Sequence, residues 1–271
     1  MNTKQLMEEA LKLAELTEIP ADSQEIVPGE NIKRILMGVD MQTPELLLAK
    51  QLGFDCVVSH HPVGDVTFAN CAEIIKTQID TLVKWGVPVN KAQKAIEECY
   101  RSSVSTFHAS NYDRYASAAR LLEMPYLGIH QPADLLGERA VQAHLDARLN
   151  ERSTLQDVMD ALMEMDEYAH ALTKPRIAVG SPDSFAGKVA VIMSGGTDGG
   201  KAVHRAFFEA GVGTLVLMHV PDAVADADRE LGIGNVIVAG HMASDSVGLN
   251  RIIRRWEELG VEVVRMSGII E

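Results

Sequence analysis

Apolar and polar positions along this chain switch between two rhythms: a helical one, with apolar residues every three or four positions, and short unbroken apolar runs bounded by turn residues. Residues 3–18 are the first helical stretch, with Leu6, Ala10, Leu13 and Leu16 on one face and Pro20 as its stop. A loop over 21–31, marked by Pro28-Gly29, leads to an apolar run at 32–39 that reads as a strand ending at Asp40. Thr43-Pro44-Glu45 then supplies an N-cap, a first-position proline and a first-turn acid for a helix over 46–52, and Cys56-Val57-Val58 follows Gly53 as a second buried strand. Strand, helix and strand make a βαβ unit, which implies a parallel pair. A helix over 70–85, carried by Ile74, Ile75, Ile79, Leu82 and Val83, breaks at Gly86-Val87-Pro88. A helix over 91–101, a short strand over 104–107 and a helix over 116–122 follow, closed by Pro125.

Residues 131–180 are less periodic, with helical patterns at 139–149 and 154–164 between turn signals at Pro132, Pro175 and Gly180. The alternation then resumes with strand 188–193, helix 200–210, strands 214–218 and 235–238, helix 247–259 and strand 261–266. No repeat of fixed period is evident, although the two halves share the strand–helix alternation. The fold class is therefore α/β, read as two α/β domains with mixed or mostly parallel sheets. The division falls at 1–135 and 136–271, with the C-terminal segment able to pack back on the first half.

Three apolar runs end in polar outlets. Val57-Val58-Ser59 delivers His60-His61-Pro62, and the 104–107 run delivers His108 and, five residues on, Asp113. The third run, 235–238, ends at Gly240, after which His241 and Asp245 stand at i, i+4 on one face of a helix turn. The C-terminal edge of the strands is where α/β folds assemble their sites. Each outlet alone has a plain reading: one histidine of a pair packed and the other solvated, or a first-turn carboxylate serving a helix dipole. Together they form a nitrogen-and-oxygen set without thiolate, too rich for one four-coordinate zinc with an open position and suited to two cations bridged by a carboxylate and water. Imidazole and carboxylate accept Zn, Fe, Mn, Co or Ni, so metal identity stays open.

Composition narrows the partners. With 46% hydrophobic and 23% charged residues the chain is an ordinary globular one, and a formal charge of −13 argues against binding a nucleic-acid backbone. No apolar stretch reaches membrane-spanning length and the first residues carry no secretory pattern, so the chain reads as cytoplasmic. Its three cysteines, Cys56, Cys71 and Cys99, fit reduced thiols and contain no C-x-x-C pair.

One further segment, Ser194-Gly195-Gly196-Thr197-Asp198-Gly199-Gly200-Lys201-Ala202, comes near the phosphate-cradling pattern G-x-x-x-x-G-K-[ST]. Ala202 stands where a Mg²⁺-binding hydroxyl is needed and Asp198 places a carboxylate in the cradle, so a glycine strand-to-helix turn is the better reading. His219 ends the 214–218 strand and can line the same edge; His130, His144, His170 and His204 read as surface residues.

The segments around Val58-Ser59-His60-His61-Pro62, Asn111-Tyr112-Asp113 and Gly240-His241-Met242-Ala243-Ser244-Asp245 resemble, in order and over nearly the whole chain, the Nif-three-like dinuclear metal centre family, whose bacterial members are described as GTP cyclohydrolase I type 2 homologues. The resemblance implies two α/β domains, a metal site in the cleft between them, a toroidal homo-hexamer and two divalent cations per chain. It puts metal ligands at His60, His61, Asp113, His241 and Asp245. If the chain is a metal-dependent hydrolase, Asp245 or Asp113 would bridge the metals or accept a proton, and His219 or His108 could donate one. The family motif ends in glutamate where this chain has Asp245. Its second motif reads H-T-x-L-D, whereas His108 and Asp113 are five apart. Three functions are consistent with this reading: a metal-dependent hydrolase acting on a nucleotide or other small molecule, a non-catalytic metal-binding scaffold or regulatory protein, and a nucleotide-binding domain built on the glycine turn.

Overall fold

The computed structural model describes all 271 residues. Nine strands follow one another: β1 (Gln24–Val27), β2 (Arg34–Gly38), β3 (Cys56–Ser59), β4 (Tyr126–Gly128), β5 (Arg176–Val179), β6 (Val189–Ile192), β7 (Thr214–Leu217), β8 (Asn235–Val238) and β9 (Glu262–Met266). They form two sheets, and the chain divides into two units. The first is made of Met1–Ile74, Ser103–Leu136 and Asp245–Ile269, and the second of Ile75–Ser102, Gly137–Ser244 and Ile270–Glu271. The fold is α/β with mixed, mostly parallel sheets.

In the first unit the strand order is β1-β4-β3-β2-β9, all parallel except β1, which runs antiparallel to β4 at the edge. Strands buried on both faces read as continuous apolar runs, and β3 is buried at every position. One layer of the core packs Leu36, Val57 and Tyr126 of the sheet against Leu46, Ala49, Ala116 and Ala119 of two helices. The C-terminal helix His241–Glu258 is tied to the first helix by the Trp256 indole, which donates to the carbonyl of Leu6 at 3.2 Å.

The second unit has a sheet of order β5-β8-β7-β6, with β6, β7 and β8 parallel and β5 antiparallel at the edge. Its plan repeats that of the first unit. In each, a run of parallel strands, four in the first unit and three in the second, is flanked by an antiparallel edge strand with a register shift, at Glu25/Val27 in β1 and at Ile177/Val179 in β5. The shared alternation in the sequence is thus a shared topology.

Several elements depart from the sequence reading. Residues 104–107 are not a strand: they lie in the helix Glu97–His108. Val104, Thr106 and Phe107 favour strands, but β-propensity without a neighbouring strand is weak, and no glycine or proline interrupts 89–113. The run that does join the sheet is β4, three residues long just after Pro125. β1, expected as loop, and β5 are edge strands too short for an alternation to register, and the helix Asp222–Leu231, which crosses between β7 and β8, was not expected.

The glycine turn after β6 is filled by the protein itself. Gln78 Nε2 donates to the carbonyls of Gly195 (3.1 Å) and Thr197 (3.0 Å). His204, expected at the surface, is buried, with Nδ1 2.7 Å from Asp228 Oδ2 and Nε2 3.0 Å from the carbonyl of Asp198. This occupancy favours the structural turn over a phosphate cradle. Gly195 has φ +91°, and a Cβ there would lie 2.7 Å from Gln78 Cγ. Gly195→Ala is therefore expected to destabilise the protein by about 1–3 kcal/mol, through strain and the displaced Gln78, measurable as a lowered urea midpoint.

Candidate metal centre

The site is built at the C-terminal edge of the first unit's sheet. β3 lies between β2 and β4, and its ladder continues past Ser59: the amide of His60 donates to Gly38 O at 3.0 Å and that of His61 to Val39 O at 2.9 Å. Neighbours in a regular strand point to opposite faces. Here Pro62 follows, and the Ser59 hydroxyl sits 3.2 Å from Val39 O and 3.1 Å from His61 O, drawing the chain round. The two imidazoles end on one side, their ring centroids 5.3 Å apart.

β4 delivers the next groups. Its continuation brings His130 onto His60, the rings stacked with centroids 4.6 Å apart, and the helix Gln131–Asp146 places Asp134 one turn after His130. Asp245 comes from the helix His241–Glu258, with His241 one turn ahead of it. Asp134 and Asp245 are buried, as is Asp22 in the loop before β1.

Every imidazole in the first unit's site has its Nδ1 committed. That of His60 lies 3.1 Å from the carbonyl of Ile129, that of His61 2.8 Å from Asp40 Oδ1, and that of His130 2.8 Å from Asp22 Oδ2. Such ties fix ring orientation and tautomer and leave Nε2 as the outward atom, the usual support of a metal-ligating histidine. His60 Nε2 is 3.3 Å from Asp134 Oδ1 and 3.6 Å from Asp245 Oδ1, while His61 Nε2 is 3.7 Å from Asp245 Oδ2. Asp245 thus turns one oxygen to each histidine, and the side chain, though a methylene shorter than glutamate, reaches both.

The groups fit a cation. Two ligands held about 2.1 Å from one tetrahedral ion lie roughly 3.4 Å apart, close to these separations. His60 Nε2 and Asp134 Oδ1 are buried with no hydrogen bond, a costly state unless something charged sits between them. The ligand atoms of His60, Asp134 and Asp245 all lie within 4.8 Å of one another, as do those of His60, His61 and His130. The donors are nitrogen and oxygen. Cys56, on the same strand as His60, is pushed far above the ordinary thiol range by burial and stays a thiol.

Charge in the site follows the same logic. Burial pushes the His60 pKa down, but the carboxylates of Asp245 and Asp134 more than offset it, so it is raised well above its ordinary value. His130 is raised in the same way by Asp134 and Asp22 against burial. His61 is lowered by burial and by the neighbouring His60, which outweigh Asp40.

Asp113 is not brought into this cluster. Its carboxylate is exposed and accepts from Arg120 Nη1 at 3.0 Å, and His108 ends an exposed helix. His219 follows β7 in the second unit, exposed, with its ring 4.9 Å from that of His241. The groups not anticipated are His130, Asp134 and Asp22. For the first two a signal existed: Tyr126-Leu127-Gly128-Ile129 is an apolar run, and His130 and Asp134 repeat the H-x-x-x-D spacing of His241 and Asp245. It is also the spacing of the H-T-x-L-D motif, which His108 and Asp113 do not keep.

No family model and no curated protein matches the chain. Solved structures do. A NIF3 superfamily protein from Sphaerobacter thermophilus is 43% identical, with 99% of this chain and 98% of that one covered at a TM-score of 0.94. HcgD from Methanocaldococcus jannaschii (14% identity, 98% and 97% covered, TM-score 0.62) and a Bacillus cereus protein related to NIF3 (13% identity, 98% and 96% covered, TM-score 0.55) share the fold. With that identity sustained from end to end, the chain belongs to the NIF3 superfamily.

Proposed function

We infer that this protein holds a pair of divalent cations and uses them in hydrolysis of a small molecule. The observation that carries the reading is the orientation of His60 and His61: each is tied at Nδ1 and turns Nε2 to a buried carboxylate. His60, Asp134 and Asp245 would hold one cation. His61 and Asp245, joined by His241 one helical turn away, would hold the other, with Asp245 contributing an oxygen to each. Asp134 takes the ligand role expected of Asp113. When bound, such ions lower the pKa of a water molecule and polarise the bond under attack.

The rest falls to the chain itself. Asp40 and Asp22 keep the His61 and His130 rings in place. The side chain of His61 is 25% exposed, which leaves this side of the centre open to a substrate. Assembly into a homo-hexamer belongs to the same reading, through the family.

Elemental analysis of the purified protein is expected to return roughly two divalent ions per chain. Protein loaded with Mn²⁺ or Zn²⁺ is expected to turn over GTP or a simple phosphoester, with His61→Ala abolishing turnover. Metals bound but no turnover across a broad panel leaves a metal-binding protein and removes the hydrolase.

A further inference from the structure

The first unit has a cavity of about 280 Å³ with His61 among the residues that line it. It is small next to the roughly 300–1,000 Å³ of sites for drug-sized ligands. Its lining includes the aromatic residues Phe68 and Tyr115 together with Asn111 and Arg114. The acidic groups nearby each have a hydrogen-bonding partner. Asp40, the carboxylate in the lining, is taken by His61 Nδ1 at 2.8 Å, and Asp113 and Asp65 are both held by Arg120. Arg114 has no acid; its guanidinium lies 5.3 Å from the centre of the Tyr115 ring. Asn111 accepts the Asp113 amide on Oδ1 at 3.1 Å, so what it offers the cavity is its NH₂ group.

A cavity with two aromatic residues, a guanidinium without an acidic partner and an amide donor favours an oxyanion on a flat apolar body. We propose that this cavity is the substrate subsite of the His61 centre and takes small aromatic or heteroaromatic oxyanions, phosphate monoesters or carboxylates, with the anion on Arg114 and Asn111. The ring packs along Phe68 and Tyr115, and the ligand borders His61. As a substrate subsite it rests on the metal-centre reading; as an anion-binding cavity it stands on its own lining.

Titration calorimetry with phenyl phosphate, benzoate, benzyl alcohol and inorganic phosphate tests it, on protein whose metal content is counted in the same samples. At least one of the two aromatic anions should bind about tenfold or more tighter than benzyl alcohol, and Arg114→Gln should erase that advantage. The tighter of the two identifies the head group. Phe68→Leu should weaken the aromatic anions and leave inorganic phosphate unchanged. Arg114 is exposed, so its variant should melt with the wild type. Equal affinity for the anions in wild type and Arg114→Gln, or an equal loss of all four ligands in Phe68→Leu, overturns the subsite. Arg114-dependent binding by a chain that carries no metal keeps the anion cavity and sinks the metal centre; metal without Arg114-dependent binding does the reverse.

Discussion

Asp134→Asn is expected to lower metal affinity by on the order of 100-fold or more, whereas Asp113→Asn leaves it unchanged. The lower bound comes from supporting residues of metal sites, whose loss costs roughly 10–100-fold; a ligand costs more. Asparagine keeps the shape and one oxygen but removes the charge that makes a buried oxygen 3.3 Å from His60 Nε2 attractive to a cation. The exposed carboxylate of Asp113 faces Arg120, and losing a surface pair of that kind changes stability by less than about 1 kcal/mol. Competition with a chromophoric chelator measures both variants on one scale. If Asp113→Asn loses metal and Asp134→Asn keeps it, the ligand set proposed here is wrong.

Stripping the metal is expected to lower the melting temperature by about 8–16 °C, and the gap should widen as pH rises. At free metal 1,000-fold above its dissociation constant, linkage supplies about 4 kcal/mol. For a chain of this size each kcal/mol moves the midpoint by roughly 2–4 °C. The pH dependence follows from His60. Its pKa in the metal-free fold is raised above that of the unfolded chain by Asp245 and Asp134, against burial. A raised pKa contributes stability that is complete below the unfolded value and is lost as pH climbs through the folded one. In the metal-free protein a proton on His60 does part of the work of a cation. Metal needs the neutral ring, so its affinity rises over the same window. Chelated protein should therefore soften with increasing pH while loaded protein holds, which parallel melts at several pH values will show. A gap that narrows with pH counts against the assignment.

Much of this centre could be read from residue order alone because it hangs on strong local signals. β2, β3, β6 and β7 are apolar runs long enough to stand out, and Ser-His-His-Pro directly follows one of them. What escaped was encoded in short or distant pieces. β4 has three residues, too few for a periodicity, so the outlet carrying His130 and Asp134 gives no periodic signal of its own, and the Asp113 read from the sequence lies outside the cluster, on Arg120. Asp22 becomes legible only in three dimensions, where β1 pairs with β4 and brings the loop before it to the His130 ring. The 104–107 misreading has the same root: strand-forming residues make a strand only when a neighbour is there to pair with, and local sequence does not name neighbours.

The histidine pair directly follows a strand in the middle of its sheet, its amides fastened to the last residue of β2 and to Val39 just beyond it. Displacing the backbone that carries these rings means parting two strands, whereas a site on a loop needs only the loop to move. A captive ion would accordingly be exchanged slowly, on the clock of sheet breathing.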